Sequence, residues 1–414
     1  MPRRRHGRAR RGRVTPPYVV VWLLFVFAWA ANFVIRVGFS ALLPPIIRDL
    51  ELSYARAGAL ASAFFWAYIA VQIPSGLLGD RFGRRRVLVL GLVAVAAATA
   101  LTGLAGSFAA LVAARLATGA GQGSMFSNDR AIIAAVTPRE KIGLGQGVSF
   151  TGPGLGITLG LALGGLLADL LSWRAVLFLF ALGPLAAALA IARWVPPTPP
   201  AADAAALGPR LRAVLGTRAV WVLGGAGACG IYVQFVLATW APMFFVETGV
   251  PGLARAGALA SIQGLAAVAG LVAGGWADDR LRRRGVRHRT LIAAGLAALA
   301  LSMGALALAL ARGSVWGLAA TLALAAFFVW TIWGPAYALL GELVRAADLG
   351  AAFGVFNSIC FVGAIVGPGV TGWVRDLTGS FAGGSAVAVL VALAGAAVAL
   401  AIPAPRPVPA PARP

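Results

Sequence analysis

Only a few ionisable side chains interrupt the long apolar stretches of this 414-residue sequence. Arg36 lies in the first stretch, Arg115 lies in a later one, and Asp129 is followed directly by Arg130. If these stretches cross a membrane, each charge within the hydrocarbon costs at least about 2.5 to 3.5 kcal/mol, which makes each group a candidate for function. Arginines with almost no acid among them favour an anionic solute, because a guanidinium stays charged and binds negative groups.

The depth and spacing of these residues suggest that they border one cavity. Arg115, Gln122 and Asp129 are seven residues apart, which places them near one face of a helix that we expect to border a central cavity. Arg36 lies too deep in its stretch for a side chain that reaches the headgroups, which is its alternative role. The alternative for Arg115 is a structural role in which it binds backbone carbonyls.

Asp129 is the one acid that we place within a membrane span. We hypothesise that it binds and releases a proton during function. A static ion pair with Arg130 or Arg139 near the inner surface is an equally open alternative.

Polar and aromatic residues of the second half of the chain are candidates to complete the cavity. We prefer Trp333, Tyr337 and Asn357, since an amide within a helix in lipid needs a hydrogen-bond partner. Most isolated aromatic residues in such helices serve in packing or at the membrane surface. The further candidates are Tyr232, Gln234, Gln263, Trp330 and Ser358.

Composition indicates an all-α membrane protein. Hydrophobic residues make up 60% of the chain and charged residues 12%, with a mean hydropathy of +0.87. A helix needs roughly 20 apolar residues to cross about 30 Å of hydrocarbon, and the chain divides into twelve such stretches. The predicted helices span residues 18–47, 56–78, 86–104, 108–136, 142–167, 173–195, 219–246, 255–277, 290–311, 315–341, 349–374 and 385–402.

The few cysteines and histidines are not arranged for catalysis or metal binding. Cys229 and Cys360 fall within apolar stretches, whereas His6 and His288 lie in basic loops. The sequence also contains neither a Ser/His/Asp set nor a phosphate-binding P-loop. We therefore expect no enzyme, no cofactor and no metal site.

Positive charge is distributed unevenly over the joints between the predicted helices. The net charge is +22, and 26 Lys and Arg residues fall on the side of the N-terminus against 6 on the other side. The positive-inside rule then places both termini in the cytoplasm, with the chain in the inner membrane. This distribution fits a lipid bilayer as partner and argues against nucleic acid.

One polar break divides the apolar pattern into two parts. We predict a basic cytoplasmic leader at 1–17, a six-helix domain at 18–195 and a Pro- and Ala-rich cytoplasmic linker at 196–218. A second six-helix domain follows at 219–402. The Pro/Ala composition of the tail, 403–414, predicts disorder.

A turn of glycines and opposite charges follows the second predicted helix and returns 198 residues later, with Asp278 and Arg280 but with Leu281 in place of the middle glycine. This repeat predicts two pseudo-symmetric halves. The turn resembles the signature loop of the major facilitator superfamily, G-x-x-x-D-R-x-G-R-R, which implies twelve helices in two six-helix bundles. The matching residues of the first copy are Gly76, Asp80, Arg81, Gly83, Arg84 and Arg85.

We expect the two turns to form a conformational latch. Glycines let two helix ends approach, and an aspartate at the membrane edge can hold a neighbouring helix by its charge or at its N-terminal end. The loops at Asp80 and Asp278 would then hold the cytoplasmic face closed. The alternative is a solvated basic turn that only follows the positive-inside rule.

Further motifs resemble the anion:cation symporter branch of this superfamily, which carries hexonates, hexuronates and related organic acids. Residues 32–40 are similar to its N-Y-x-D-R-x-x-x-S element, residues 115–123 to R-x-x-x-G-x-x-E, and residues 239–242 to T-W-x-P. Residues 356–380 are similar to I-N-S…G-P…G…D-x-T-G-S. The resemblance spans nearly the whole chain.

The resemblance implies that Arg36 and Arg115 pair with a substrate carboxylate, with Asn32 and Gln122 beside them. The chemistry agrees, because a guanidinium can bind a carboxylate through two parallel hydrogen bonds. Ile35 and Gln122 stand where the branch has the Asp and Glu that would carry a proton or cation, and neither binds a proton at ordinary pH. Proton coupling through Asp129, coupling to another ion or exchanged solute, and uncoupled transport all stay open.

These features together predict a monomeric secondary transporter that moves a small organic anion, a carboxylate or sugar acid, by alternating access, with H⁺ as a candidate coupling ion. The rival with the same fold is a drug or metabolite exporter, a proton antiporter, since residues 152–156 faintly resemble the antiporter element G-P-x-x-G-G. A transporter-like sensor is a third alternative. A sensor usually carries a sizeable soluble extension, and the longest inside segment here is the linker.

Overall fold

The computed structural model describes residues 17–197, 207–345 and 348–403, and its regular elements are helical throughout these ranges. We call residues 17–195 the N-terminal half and residues 218–402 the C-terminal half. The predicted leader up to residue 16, the middle of the predicted linker and the predicted tail from residue 404 lie outside the described residues.

The N-terminal half is built from long helices, several of which are interrupted. A 3₁₀ turn at Arg139–Lys141 separates two of them. The helices are α1 (Pro17–Ala41), α2 (Leu43–Asp49), α3 (Tyr54–Phe82), α4 (Arg84–Leu104), α5 (Phe108–Gly123), α6 (Met125–Val136), α7 (Ile142–Ser149), α8 (Gly152–Leu170) and α9 (Trp173–Trp194).

The C-terminal half repeats this pattern after a short helix, α10 (Leu207–Leu215), in the connecting segment. Its helices are α11 (Arg218–Glu247), α12 (Leu253–Ala260), α13 (Ile262–Arg282), α14 (His288–Ala311), α15 (Val315–Thr331), α16 (Trp333–Leu343), α17 (Leu349–Thr378) and α18 (Phe381–Leu400).

In the described ranges, ten helices are long and apolar enough to cross a membrane, or eleven if the bent pair Tyr54–Gln72 and Pro74–Phe82 counts as one span. The predicted span 108–136 is not among them, and it divides at Ser124 into α5 and α6. Large apolar side chains such as Leu301 and Trp316 are 77% and 79% exposed, as expected of a surface that faces lipid.

Several predicted helices are split where proline or a local hydrogen bond interrupts the helical ladder. Ser124 donates its hydroxyl to the carbonyl of Gly121 at 2.7 Å, in competition with the backbone. Pro153 lies in the first turn of α8 and Pro335 in the first turn of α16, where proline, which lacks an N–H, is tolerated. The predicted helices 142–167 and 315–341 are therefore each two segments.

The loops gather at two ends of the bundle. We call the end with the described chain termini the terminal end; there Lys141 donates to the Tyr18 hydroxyl at 3.1 Å and Arg289 to the carbonyl of Ile402 at 3.0 Å. We call the opposite end the far end. Serine side chains cap helices there, accepting from backbone N–H groups two or three residues on. The capping residues are Ser53, Ser107, Ser172, Ser314 and Ser380.

Glycine lets the helices of the bundle approach closely. A Cβ on Gly160 of α8 would lie 3.0 Å from the nitrogen of Gly38 in α1, and a Cβ on Gly372 of α17 would lie 2.7 Å from the carbonyl carbon of Tyr54 in α3. Small residues allow such contacts where lipid provides no hydrophobic drive between helices. The α3–α17 contact joins the two halves near the far end.

Candidate functional site

A cavity lies between the two halves, midway along the long helices. It holds about 640 Å³ of space between atoms, part of it open to solvent. Ten of its sixteen lining residues are aromatic and one, Arg36, is charged. We call it the central cavity. It is lined by Trp29, Phe33, Arg36, Tyr68, Phe126, Phe150, Pro153, Ile231, Gln234, Phe235, Leu271, Trp330, Trp333, Tyr337, Asn357 and Phe361.

Arg36 extends from α1 to this cavity and is 6% exposed. Its Nε and Nη2 donate to Oε1 of Gln122 at 3.1 and 2.8 Å. The guanidinium lies 4.5 Å from the ring centre of Phe33 and 4.7 Å from that of Tyr68, distances at which an aromatic face attracts a cation. Ion pairs between described residues do not include Arg36. Its charge is therefore available to an anion.

Gln122 and Asn32, both predicted to contact substrate, lie behind Arg36 and do not line the central cavity. Gln122 Nε2 donates to the backbone carbonyl of Asn32 at 3.0 Å, and Asn32 Nδ2 donates to the carbonyl of Ala28 at 2.8 Å. The two amides are 2% and 1% exposed. They hold the guanidinium in place from the protein side.

Arg115 does not line the central cavity, which we predicted that it borders. It lines a second, smaller cavity together with Arg36, Ser40 and Thr239. The ring centre of Phe64 lies 5.0 Å from both guanidinium groups. Arg115 is 2% exposed, and its Nε has no hydrogen-bond partner among the described residues.

The residues predicted for the second wall, Trp333, Tyr337 and Asn357, all line the central cavity. The rings of Trp333 and Tyr337 are 5.9 Å apart with 30° between their planes. Gln234 also lines it, and its buried Oε1 lacks a hydrogen-bond partner in the described part of the chain. The C-terminal half thus supplies rings and amides. Of the further candidates, Trp330 lines this cavity and Gln263 a smaller one.

Asp129 is fully buried and does not line the central cavity. It pairs with Arg130 at 2.7 Å, which is the geometry of the static alternative, and it accepts a hydrogen bond from Trp29 Nε1 at 2.6 Å. Arg130 also donates to Gln146 Oε1 at 2.9 Å. Because Trp29 lines the cavity, a single side chain connects Asp129 with the solute space.

Aromatic side chains from both halves close the cavity towards the far end. Phe65 of α3 contacts Phe235 of α11 at 4.3 Å between ring centres, and Tyr68 contacts Phe361 of α17 at 5.0 Å. Ser40 donates across the same boundary to the carbonyl of Ala238 at 2.7 Å. These contacts separate the central cavity from the far end.

The first predicted latch turn, at the terminal end, is bound within the N-terminal half. Asp80 pairs with Arg84, which also donates to the carbonyl of Ser127 at 3.3 Å. Gly83 has φ 93°, a conformation that favours glycine. A Cβ on Gly76 would lie 3.5 Å from that of Ser127. The remaining residue, Arg81, has its guanidinium 5.2 Å from the ring of Phe82.

The second predicted latch turn is bound within the C-terminal half. Asp278 is hydrogen-bonded to His288 Nδ1 at 2.6 Å, and His288 Nε2 lies 3.3 Å from Glu342. Arg280 lies with its guanidinium 5.6 Å from the ring of Trp276. In this conformation, neither latch aspartate bridges the two halves through these contacts.

Two other aspartates, at the far end, do bridge the halves. Asp376 at the end of α17 accepts from the backbone N–H groups of Tyr54 and Ala55 at 3.0 and 2.8 Å. Asp169 at the end of α8 accepts from those of Leu253 and Ala254, also at 3.0 and 2.8 Å. Each carboxylate thus satisfies free N–H groups at the start of a helix in the opposite half, where the helix dipole favours negative charge.

Sequence reasoning missed most of the aromatic lining. Trp29, Phe33 and Arg36 follow one another at spacings of four and three residues, which places them on one helix face. That spacing was a usable signal, because residues on the same helix face as a buried charge are expected to line the same cavity. The rings of Phe235 and Phe361 gave no such signal, because aromatic residues elsewhere in these helices serve in packing.

Comparisons with known proteins agree with this architecture. A sequence model described as Major Facilitator Superfamily matches residues 21–307. The chain is 24% identical over 380 residues to a hexuronate transporter of Bacillus subtilis (strain 168), covering 88% of this chain and 90% of that one. It is 29% identical over 345 residues to a 3-(3-hydroxy-phenyl)propionate transporter of Escherichia coli (strain K12), covering 78% and 82%.

Among solved structures, the fold is similar to that of a bacterial homologue of the human lysosomal transporter Spinster in an inward-facing and occupied conformation. The TM-score is 0.82 at 17% sequence identity, and the match covers 94% of this chain and 97% of that one. At this identity the likeness extends to the fold alone.

Proposed function

Because the chain belongs to the Major Facilitator Superfamily, a family of transporters, we propose that it carries a small organic anion across the inner membrane by alternating access. Arg36 would bind the carboxylate of the solute in the central cavity. The relatives described above are themselves named for the transport of organic acids, which supports an organic anion.

The observation that carries this proposal is the buried, unpaired guanidinium at the cavity surface. Arg36 is 6% exposed and is held by the neutral amide of Gln122 instead of a carboxylate. Burial of a charge without a counter-ion is unfavourable, so a carboxylate that enters the cavity gains a strong partner. The charge on the cavity surface therefore favours an anion over the cation that a proton-antiporting exporter of cations would carry.

We further propose twelve spans, with the divided helix α5–α6 as the fourth, in two six-helix domains at 18–195 and 219–402 joined by a linker at 196–218. The count of 26 Lys and Arg residues against 6 supports cytoplasmic termini. The terminal end would then face the cytoplasm. With the far end closed by Phe65 and Phe235, the conformation would be inward-facing.

Proton coupling would pass through Asp129. This residue is buried, and Trp29 connects it with the cavity. Arg115 lines the smaller cavity together with Arg36 and would meet the solute when the far end opens. Both roles rest on the positions of these side chains.

The test is uptake by proteoliposomes that contain the full chain, with a panel of carboxylates and their neutral amides, with and without a pH gradient. Loss of a charged hydrogen bond costs about 1.5 to 3 kcal/mol, so Arg36→Gln should lower carboxylate uptake about 10- to 150-fold. Arg36→Lys keeps the charge but loses the two parallel hydrogen bonds, so its carboxylate uptake should lie between that of the unaltered protein and that of Arg36→Gln. Arg312→Gln, at an exposed far-end arginine, is the matched control.

Two outcomes would contradict the proposal. Carboxylate uptake that is unchanged in a well-folded Arg36→Gln protein would remove the anion site. Uptake of neutral or cationic compounds without carboxylates would favour the exporter. Proton coupling is tested with Asp129→Asn. If its uptake responds to a pH gradient as that of the unaltered protein does, Asp129 is not the proton carrier.

A further inference from the structure

The lining of the central cavity indicates the chemistry of the solute beyond its charge. We propose, building on the anion transport proposed above, that the solute is a monocarboxylate with an aromatic body instead of a polyhydroxylated sugar acid. Ten of the sixteen lining residues are aromatic and three are aliphatic. Such a surface binds apolar solute area, from which water is released.

Hydrogen-bonding groups are few in this cavity. They are the amides of Gln234 and Asn357 and the hydroxyls of Tyr68 and Tyr337, of which that of Tyr68 is already engaged by Arg36. The indole N–H of Trp29 is already donated to a buried aspartate. A sugar acid carries a hydroxyl on almost every carbon, and each one that is buried without a partner weakens binding. The cavity therefore favours a body with few polar substituents.

The rings also form two walls between which a flat solute would fit. Trp29 lies edge-to-face with Phe150 at 6.1 Å, on the side of the N-terminal half, while the rings of Trp333 and Tyr337 lie 5.9 Å apart and tilted by 30° in the C-terminal half. Aromatic rings attract in such edge-to-face and offset arrangements, which a further ring can extend. Trp29 precedes Arg36 by seven residues, about 10 Å along the helix, a distance that a ring joined to a carboxylate by a short chain can span.

The charge on the cavity surface matches a single carboxylate. Arg36 is its one charged lining residue. The buried guanidinium of Arg115 borders the smaller cavity and does not line the central one. A second carboxylate on the solute would lose its hydration in the central cavity without gaining a cation.

The experiment measures binding of a matched panel to the purified full chain by isothermal titration calorimetry, with uptake of radiolabelled 3-phenylpropionate as a second readout. The panel is 3-phenylpropionate, D-glucuronate, 3-phenylpropanamide and 1,4-phenylenediacetate. We expect 3-phenylpropionate to bind at least about tenfold more tightly than glucuronate and the neutral amide.

The outcomes separate this inference from the function on which it rests. If glucuronate binds as tightly as 3-phenylpropionate, the proposal of an aromatic solute is wrong, whereas the proposal of anion transport is unaffected. The amide binding as tightly as the acid would overturn anion binding itself. Tighter binding of 1,4-phenylenediacetate would overturn the single carboxylate.

Variants of the wall provide an independent check. Trp333→Leu, and Trp330→Leu at a half-buried position, should weaken binding of 3-phenylpropionate about two- to twelvefold and change binding of glucuronate less. Trp316→Leu, at a side chain that is 79% exposed on the outer surface, is the control and should leave binding unchanged. If Trp333→Leu folds poorly, the affinities of Trp330→Leu provide the test. An unchanged ratio of the two affinities in folded variants overturns the proposal.

Discussion

The two ends of the bundle use aspartates in opposite ways. At the far end, Asp169 and Asp376 each bind the start of a helix in the other half. At the terminal end, Asp80 pairs with Arg84 and Asp278 with His288, within their own halves. Carboxylates therefore join the two halves at the far end. At the terminal end, they form bonds only within each half.

This difference in how the aspartates are bound suggests how the molecule can open at one end and close at the other. Helix starts carry free N–H groups, and a carboxylate is the natural partner for them. While the far end is closed, its four N–H groups are satisfied across the boundary by two side chains. Opening that end would break these bonds, and the latch aspartates at the terminal end would become available for bonds of the same type.

The largest expected effect comes from the backbone contact at the far end. A Cβ on Gly372 would lie 2.7 Å from the carbonyl carbon of Tyr54 and 3.0 Å from the ring of Trp240. Overpacking of this kind costs about 1 to 3 kcal/mol, so Gly372→Ala should reduce the population closed at the far end about 5- to 150-fold. The measurement is the distance between spin labels at Gly106→Cys and Arg312→Cys, in a background with Cys229 and Cys360 replaced by alanine.

The matched control lies on the same helix. An added Cβ at Gly354, towards the terminal end of α17, meets no atom within 4 Å. Both substitutions change helix propensity alike, by about 0.5 to 1 kcal/mol in favour of alanine, so their difference reports the contact between halves. Equal label distances in the two variants would show that the close approach of α3 and α17 does not hold the far end closed.

The next effect is that of the carboxylate caps. Both aspartates are exposed, so we expect each cap to contribute about 0.5 to 1 kcal/mol, at the lower part of the range for helix caps. Asp169→Ala and Asp376→Ala should each shift the closed population about two- to fivefold, and the double variant by about the product, because the two sites share no partner. The same label pair measures the shift.

The conservative variants sharpen this test. Asp169→Asn and Asp376→Asn retain an oxygen that can accept a hydrogen bond but lose the negative charge, so their shifts should be smaller than those of the alanine variants. If the label distance is unchanged in the double alanine variant, the carboxylate contacts form when the far end closes but do not stabilise the closed state.

The fold was predictable because its signals are local. Apolar stretches of spanning length and the repeated turn at Asp80 and Asp278 led to an all-helical fold and to the superfamily, and both predictions are confirmed. The breaks at Ser124 and Ile332 were not predicted. Neither position has a proline or a charged residue directly beside it, so composition does not mark a bend that packing decides.

The site was predictable only in part. The depth of Arg36 in its stretch indicated a buried role, and the side chain borders the central cavity. The spacing of Arg115, Gln122 and Asp129 indicated one shared face, but spacing does not show that Arg115 lies off the central cavity or that the bend after Gln122 directs Asp129 to Trp29. The caps at the far end join residues distant in sequence, for which no local pattern exists.

The smallest effect is expected at a third far-end aspartate, which is bound within its own half. Asp49 Oδ2 accepts from Arg174 Nη1 at 2.5 Å and from Trp173 Nε1 at 3.1 Å. These hydrogen bonds, that of Arg174 first, lower the pKa of Asp49 below its ordinary value of 3.8. A carboxyl group whose pKa is lowered by folding stabilises the folded state above its unfolded pKa, and this contribution is lost as pH falls through the folded pKa.

Asp49→Asn should therefore lower the apparent unfolding temperature slightly between pH 5 and 7. The difference from the unaltered protein should begin to shrink as pH falls to about 4, near the pKa of an unperturbed aspartate, and should disappear below the lower pKa of the folded state. Salt at about 1 M should reduce it, since the ion pair is exposed and screened. The label distance at the far end should not change, because Arg174 and Trp173 belong to the same half as Asp49. A shift as large as that of Asp376→Ala would mean that any lost carboxylate at this end loosens closure, and that bridging the halves is not what distinguishes Asp169 and Asp376.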